Sequence, residues 1–169
     1  DNNLDADTLK ELNRRYISGF LPSDSDGYIT LTTHNYQAQE INISKLNALK
    51  GKARMFKAVI SGEFPEISYP TEAELTLKVG AQVMFIKNDV SPLKLYYNGR
   101  IGTVTRMTED LVYVQCPGDN GPIATGMAEW QNCRYALNDE TKEINETVIG
   151  TFTQYPLKLA WAITIHKSQ

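Results

Sequence analysis

The chain has 169 residues, a hydrophobic fraction of 41% and a formal net charge of −3 at pH 7, which suit one globular domain or two small ones. No apolar run approaches the roughly 18 residues of a membrane span, and the polar, acidic start lacks the order of a secretory signal. We therefore expect a cytoplasmic protein with no membrane partner. Cys116 and Cys133 match neither a metal knuckle nor a disulfide framework, so no metal site is expected.

The first third of the chain predicts a helix, a strand and a second helix. Apolar residues at helical spacing predict the first helix over residues 7–17, with Asp7 or Thr8 as its cap. Residues 28–33 are rich in types that favour strands and predict a buried strand. Helical spacing resumes directly afterwards and continues to Lys50. Strand, polar turn and helix in this order are half of a βαβ unit.

The polar turn after the predicted strand is a candidate binding site. It contains Thr33 and Asn35, at the carboxyl end of a strand and the start of a helix, where open α/β sheets hold their ligands. Either residue would also serve as an ordinary helix cap. The residues alone leave both interpretations open.

The middle of the chain predicts strands. Residues 52–61 alternate as one strand would, and residues 63–74, with prolines and acids, predict an extended connection lying against the body. From 75 to 153, short strand-like runs alternate with Gly, Asn, Asp and Pro. Five or so short strands with tight turns predict a small antiparallel barrel. Strand spacing does not separate an oligonucleotide-binding barrel from a Src-homology-3-like one.

The final segment runs from apolar to polar residues. The spacing of large apolar residues over 157–165 fits a strand and a helix alike. Four polar residues follow: His166, Lys167, Ser168 and Gln169. Hydroxyl, amide and imidazole groups suit contacts with a phosphate backbone because they make short, directional hydrogen bonds without reading base sequence.

Three stretches resemble superfamily 1 DNA helicases of the RecD-like and petite-integration type. Leu-Thr-Thr-His-Asn-Tyr-Gln-Ala-Gln-Glu-Ile-Asn at 31–42 is similar to motif IV, and Ala-Trp-Ala-Ile-Thr-Ile-His-Lys-Ser-Gln at 160–169 is similar to motif V. Between them, Leu-Lys-Val-Gly-Ala-Gln-Val-Met-Phe-Ile-Lys-Asn-Asp at 77–89 and Tyr-Asn-Gly-Arg-Ile-Gly-Thr-Val at 97–104 resemble the Src-homology-3-like subdomain of these helicases. The order of the three stretches is the order of the family.

The resemblance implies an α+β fold, in which an incomplete RecA-like α/β layer carries an inserted small antiparallel β-barrel of the Src-homology-3-like type. Residues 1–70 would be part of the second RecA-like motor domain. Residues 71–155 would be the inserted barrel, and residues 156–169 would begin the motif V segment of the motor domain.

The implied function is that of a fragment of an ATP-dependent DNA helicase, with single-stranded DNA as partner and roles in DNA repair and recombination. ATP and Mg²⁺ are expected in the parent protein and no cofactor in the fragment, which has no GxxxxGK[ST] loop and lacks the first motor domain. It is therefore not expected to hydrolyse ATP alone. By the resemblance, the strand contacts are Thr33, Asn35, His166 and Ser168, with Lys167 and Gln169 facing the strand or the nucleotide.

Two other functions fit a small barrel. One is an autonomous nucleic-acid-binding module, for which the chain offers the basic residues Lys87, Lys94, Arg100 and Arg106. The other is a peptide- or protein-binding barrel, for which the chain offers the aromatic residues Tyr96, Tyr97, Tyr113, Trp130 and Tyr135. The net charge of −3 argues against binding through a bulk positive field. Neither module needs a βα unit ahead of the barrel, which favours the helicase interpretation.

Overall fold

The computed structural model describes residues 5–20, 22, 27–137 and 144–165, which have a mixed α/β fold. The helices are α1 (Ala6–Asn13), α2 (Asn35–Ala48) and a 3-10 turn at Glu66–Ser68. The strands are β1 (Thr30–Thr32), β2 (Arg54–Lys57), β3 (Val59–Gly62), β4 (Glu74–Leu77), β5 (Gln82–Phe85), β6 (Ile101–Met107), β7 (Val112–Gln115), β8 (Ile123–Thr125), β9 (Ala128–Leu137), β10 (Ile144–Gln154), β11 (Leu157–Leu159) and β12 (Ala162–Thr164). None of the helices seen in these residues is long and apolar enough to span a membrane.

Helix α1 is shorter than predicted and begins at a different cap. The Asp5 carboxylate accepts hydrogen bonds from the backbone N–H and the hydroxyl of Thr8, at 2.7 and 3.0 Å, so Asp5 and not Asp7 or Thr8 is the N-cap. The helix ends at Asn13, and none of its residues is buried. The apolar spacing correctly indicated a helix, but the described residues provide no surface that covers its apolar face.

Helix α2 packs against the parallel pair formed by β1 and β12. It buries Ala38 and Leu46 and ends at Ala48, so the predicted second helix is confirmed to within two residues of Lys50. The predicted buried strand is only partly right, because in β1 Thr32 is buried and Leu31 is 56% exposed.

The strand predicted over 52–61 is two strands. β2 pairs antiparallel with β4, whereas β3 pairs antiparallel with β10. Between them the N–H of Ala58 donates to the carbonyl of Ala73 at 2.7 Å. The prediction of a single strand was wrong because the alternating pattern continues unchanged while the chain moves from one sheet to another.

The connection after β3 lies against the body, as predicted. The ring of Phe64 packs 5.7 Å from that of Phe152, and the ring of Tyr69 packs 4.7 Å from it, measured between centroids. Ile67, in the 3-10 turn between them, is 97% exposed. Two aromatic anchors therefore hold this connection while its middle faces solvent.

The core is built around a five-stranded antiparallel sheet in the order β11-β5-β6-β7-β8. Every residue of β5 is buried, which explains its strongly apolar sequence. A second antiparallel sheet has the strand order β3-β10-β9. Fully buried members of the core are Leu75, Leu77, Val83, Phe85, Val104, Val112, Val114, Tyr155 and Leu157.

The last segment passes from one sheet to another within a few residues. β11 pairs antiparallel with β5, and after Ala160 and Trp161 the chain pairs in parallel with β1 as β12. Ala160 and Trp161 are buried. The segment that fitted a strand and a helix equally well is thus two short strands, which belong to different sheets.

Candidate nucleic-acid interface

The carboxyl ends of β1 and β12 lie side by side. The two strands are parallel, with Thr32 opposite Thr164, and both threonines are buried. The Thr32 hydroxyl donates to the carbonyl of His34 at 3.1 Å, which fixes the turn that follows β1. Parallel strands end at a common edge, so the polar turn after β1 and the chain after β12 leave the sheet at the same place.

Thr33 and Asn35 occupy this edge, and both are exposed. Neither acts as the N-cap of α2. That position belongs to His34, whose side chain makes no capping hydrogen bond, and the Thr33 hydroxyl lies 2.8 Å from Nδ1 of His34. The helix-cap interpretation of Thr33 and Asn35 is therefore wrong. The start of α2 presents positively polarised N–H groups at the same edge, which favours anions.

Two rings extend this edge, and the sequence prediction missed one of them, that of Tyr36. His34 and Tyr36 have ring centroids 5.5 Å apart and planes tilted by 45°, and Tyr36 is 63% exposed. Exposed rings are suited to stacking on nucleic-acid bases. The signal was present as His-Asn-Tyr directly after the strand, but a search for hydroxyl and amide groups passes over it.

The four polar residues of the last segment, His166, Lys167, Ser168 and Gln169, lie outside the described residues. The structure places the residue that precedes them. Ile165 directly follows Thr164, whose register partner is Thr32. The described chain therefore ends, at Ile165, beside the edge that carries Thr33.

A groove of about 510 Å³ runs beside this edge, between α2 and the strands. Asn35 and Thr164 line its end nearest the edge, and Glu72 and Glu74 line it as well. The Glu74 carboxylate is 3.5 Å from Nζ of Lys57, an exposed pair that compensates little in water. Lys158 lines the groove as well, so the groove carries charges of both signs, whereas the edge of β1 and β12 offers uncharged hydroxyl and amide groups.

The basic side chains of the barrel region are largely engaged within the fold. Lys87 lies 4.8 Å from the ring centroid of Trp130, and Arg106 lies 3.9 Å from that of Tyr113. Arg100 bonds to the carboxylate of Asp119, with both side chains mostly buried. A ring contact positions a cation without neutralising it, so among these three residues only Arg100 is paired with an acid.

Comparison with known proteins identifies relatives of the chain. No protein-family model matches it. It is 32% identical over 162 residues to the ATP-dependent DNA helicase Pif1 of Campylobacter jejuni, which covers 85% of this chain and 34% of that helicase. Two solved structures of Bacteroides Pif1 are 40% identical to it and cover 98% of this chain and 37% of theirs. The TM-score is 0.84 for the complex with ADP-AlF4 and 0.71 for the structure bound to single-stranded DNA.

The relatives are helicases of the type that the sequence motifs resemble. The chain spans about a third of the length of the Campylobacter helicase and of the Bacteroides chains. Over that part it shares both sequence and fold with them, and the stretches similar to motifs IV and V are the ones that meet at the edge of β1 and β12. Over most of its length the chain is therefore homologous to about a third of the Pif1 DNA helicases of Campylobacter jejuni and Bacteroides.

Proposed function

We propose that the chain supplies part of the second RecA-like motor domain of an ATP-dependent DNA helicase and its contacts with single-stranded DNA. The observation that supports this proposal is the parallel pairing of β1 with β12, which brings the turn of Thr33 and Asn35 beside the end of β12 at Thr164; His166 and Ser168 follow in the sequence. A motor that moves along any sequence has to hold the strand by its phosphates. Hydroxyl, amide and imidazole donors from two segments at one edge supply such contacts.

The domain limits are part of the proposal. Residues 1–70 and 156–169 are assigned to the motor layer, and residues 71–155 to an inserted barrel of the Src-homology-3-like type. The antiparallel sheet β11-β5-β6-β7-β8 supports the insertion. Because β11, Leu157–Leu159, pairs with β5, we move the end of the proposed insertion from residue 155 to Leu159, so that the chain returns to the motor layer at Ala160 and Trp161.

ATP and Mg²⁺ are proposed as cofactors of the longer protein. A Bacteroides Pif1 structure contains ADP-AlF4, and the present chain covers 37% of that protein. The phosphate-binding loop would come from the first motor domain, which is the partner that the chain needs to form a nucleotide cleft. Lys167 and Gln169 are assigned to the strand or to the nucleotide.

The fold gives less support to a barrel that binds nucleic acid on its own. Such a module uses cations that meet phosphates, and Arg100, one of its candidate residues, is paired with Asp119. The edge of β1 and β12 lies outside the five-stranded sheet. Variants at the edge therefore separate the two functions.

The test is binding of a fluorescent single-stranded oligonucleotide, followed by anisotropy at low and moderate salt. We expect weak binding that decreases with salt because phosphate contacts release counterions. One double variant combines His166→Ala with Ser168→Ala, and a second combines Thr33→Ala with Asn35→Ala. Each is expected to weaken binding by roughly tenfold, since a lost hydrogen bond to a charged group is worth about 1.5–3 kcal/mol.

The control changes the same kinds of side chain farther along α2. Ser44 and Asn47 are both exposed, and the double variant Ser44→Ala with Asn47→Ala should bind as the unchanged chain does. Binding that is indifferent to both edge variants would move the site to the barrel. No binding under any condition would contradict the proposed function.

A further inference from the structure

A β-bulge turns Arg106 to the outer face of the five-stranded sheet. In β6, Val104 is buried and lies opposite Val114, and strict alternation would point the side chain two residues later at the core as well. The register shifts between Val104 and Arg106, so that Arg106 lies opposite Tyr113 and is exposed. Bulges are known to re-aim side chains in this way. One extra residue in β6 therefore places a cation on the surface of the sheet.

Tyr113 holds the guanidinium of Arg106 against its ring. Cζ of Arg106 lies 3.9 Å from the ring centroid. Among the described residues Arg106 forms no ion pair, and the ring positions its charge without neutralising it. A charged guanidinium that lies flat on a ring can bind a phosphate and can also stack on a nucleic-acid base.

The same face continues into a groove of about 950 Å³ beside β6 and β7. Its lining includes Thr103 and Gln115, which are register partners on the two strands, and also Tyr97 and Arg100. Tyr97 is 61% exposed, and Cζ of Arg100 lies 5.8 Å from the centroid of its ring. Because Arg100 is paired with Asp119, this end of the groove offers an open ring with little free charge.

The outer face of β6 and β7 combines rings and cations without acids. Neither strand contains an aspartate or a glutamate, although acidic residues outnumber lysine and arginine by 20 to 17 in the whole chain. Arg100 directly precedes β6 and Arg106 lies near its end, a separation of about 20 Å along a strand. Two pairs of ring and cation at this spacing, with hydroxyl and amide groups between them, suit a few nucleotides of a single strand.

We propose that the outer face of β6 and β7 binds a second stretch of single-stranded DNA, in addition to the edge of β1 and β12. Arg106 contacts a phosphate, and the exposed ring of Tyr97 stacks on a base. Tyr113 is a positioning residue that holds the guanidinium of Arg106. The choice of ligand rests on the proposed function. The face shares no residue with the edge, so variants at the two places test them separately.

The experiment measures anisotropy with a fluorescent single-stranded oligonucleotide of about 20 nucleotides, longer than a few-nucleotide contact, over a series of salt concentrations in the 169-residue chain. For Arg106→Gln we expect roughly tenfold weaker binding at low salt and a slope of log K against log salt that is smaller by about 0.7, as for one lost phosphate contact. Arg106→Lys should keep the slope and lose part of the affinity, because lysine keeps the charge and loses the planar contact with Tyr113.

The matched control is Arg134→Gln on β9. Its side chain is 64% exposed and lies in the other antiparallel sheet, so the substitution removes the same charge away from the proposed face. Neither the affinity nor the slope should change. An unchanged slope for Arg106→Gln, or a slope that falls equally for Arg134→Gln, overturns the inference.

Tyr97→Leu tests the ring independently of the charge. We expect roughly tenfold weaker binding of the ordinary oligonucleotide and a smaller loss for an abasic one, because base stacking on an aromatic side chain is sequence-tolerant but needs a base. The position is 61% exposed, so this variant keeps the inference testable if Arg106→Gln does not fold. Equal affinity of Tyr97→Leu and the unchanged chain overturns the stacking contact.

The double variant Thr33→Ala with Asn35→Ala separates the face from the edge. If binding responds to the edge variant and ignores Arg106 and Tyr97, the inference is overturned and the proposed function stands. If binding responds to Arg106 and Tyr97 and ignores the edge variant, the inference stands and the edge is overturned as a site. No binding by the unchanged chain overturns both.

Discussion

The rings of Phe56 and Tyr155 pack edge to face in the core, with 4.6 Å between centroids and 60° between planes. Both residues are buried, and the contact joins β2 to the end of β10. Phe56→Ala removes this contact and leaves a cavity, so we expect unfolding in urea to lose about 3–5 kcal/mol of stability. Phe20→Ala is the control, because Phe20 packs edge to face on Tyr28 but is 47% exposed. Equal losses for the two variants would contradict the expectation.

A buried amide next to this pair predicts a second loss of stability. Gln154 has no exposed surface. Its Nε2 donates to the carbonyl of Phe56 at 3.0 Å, and its Oε1 accepts the N–H of Tyr155 at 2.9 Å. Gln154→Leu leaves both partners buried without a hydrogen bond, so thermal or urea unfolding should show a loss of about 2–4 kcal/mol. Gln131→Leu, at an exposed position on β9, should stay within about 0.5 kcal/mol.

Two glycines allow β3 and β10 to approach at a bulge. Gly62 and Gly150 are register partners, and the register of β10 shifts between Val148 and Gly150. A Cβ on Gly150 would lie 2.3 Å from the carbonyl oxygen of Glu63, which is backbone and cannot turn away. Gly150→Ala should therefore lower the free energy of unfolding by about 1–3 kcal/mol.

The control for that substitution is a glycine with free space around it. A Cβ on Gly121 meets nothing within 4 Å, so Gly121→Ala should leave the unfolding midpoint nearly unchanged or slightly raised. A Gly150→Ala variant as stable as Gly121→Ala would mean that β3 and β10 separate there without cost.

The loop after β5 predicts a sensitivity to acid. The Asp89 carboxylate accepts hydrogen bonds from the N–H of Ser91, the N–H of Leu95 and the Ser91 hydroxyl, each at 2.8 Å. The bond from the Ser91 backbone contributes most to lowering the pKa of Asp89 below its usual range. A lowered folded-state pKa means stability that is complete above the pKa of the unfolded chain and lost as the pH falls through the lower, folded value.

Asp89→Asn should remove this contribution. We expect it to lower the unfolding midpoint at neutral pH and to reduce the fall in stability below about pH 4. Glu109→Gln, at an exposed position between β6 and β7, should change the free energy of unfolding at neutral pH by no more than about 0.5 kcal/mol. If plots of stability against pH run parallel for Asp89→Asn and the unchanged chain, the ionised carboxylate of Asp89 does not stabilise this loop.

The exposed ring of Tyr36 predicts a contribution to DNA affinity. Base stacking on an aromatic side chain is worth about 1–3 kcal/mol, so Tyr36→Ala should weaken binding of a single-stranded oligonucleotide by about tenfold or more. Binding of an abasic oligonucleotide should change less, because it retains the phosphates. Tyr16→Ala, at a position 75% exposed after α1, serves as control. An equal loss with the abasic strand would assign Tyr36 to the backbone instead of to bases.

Local sequence patterns predicted the helices and strands whose buried residues recur at a regular spacing. The second helix and the strands β5, β6 and β7 follow from periodicity and turn residues, because their burial is repeated in the sequence itself. The pattern over 52–61 could not show the change of sheet at Ala58, which depends on a hydrogen bond to Ala73. The first helix shows another limit of sequence patterns. The spacing of its apolar residues identifies an apolar face but does not show whether another part of the chain covers that face.

The candidate site was predictable where it depends on neighbours in sequence. Thr33 and Asn35 follow a strand and begin a helix, and that order is visible in the residues. The side-chain hydrogen bonds that Asn42, in α2, makes with the N–H and the carbonyl of Ala162 were not predictable, because the two residues are 120 positions apart. The roles of His166 and Ser168 in binding DNA remain a prediction.

The parallel pairing of β1 with β12 also bears on the order of folding. Thr32 and Ile163 are 131 residues apart, and closing a loop of that length directly costs about 4 kcal/mol of chain entropy. The five-stranded sheet ends with β11, so its formation carries the chain to within two residues of β12. We therefore expect this sheet to form first and the parallel pair last. During refolding, single-stranded DNA binding should then lag behind burial of the core.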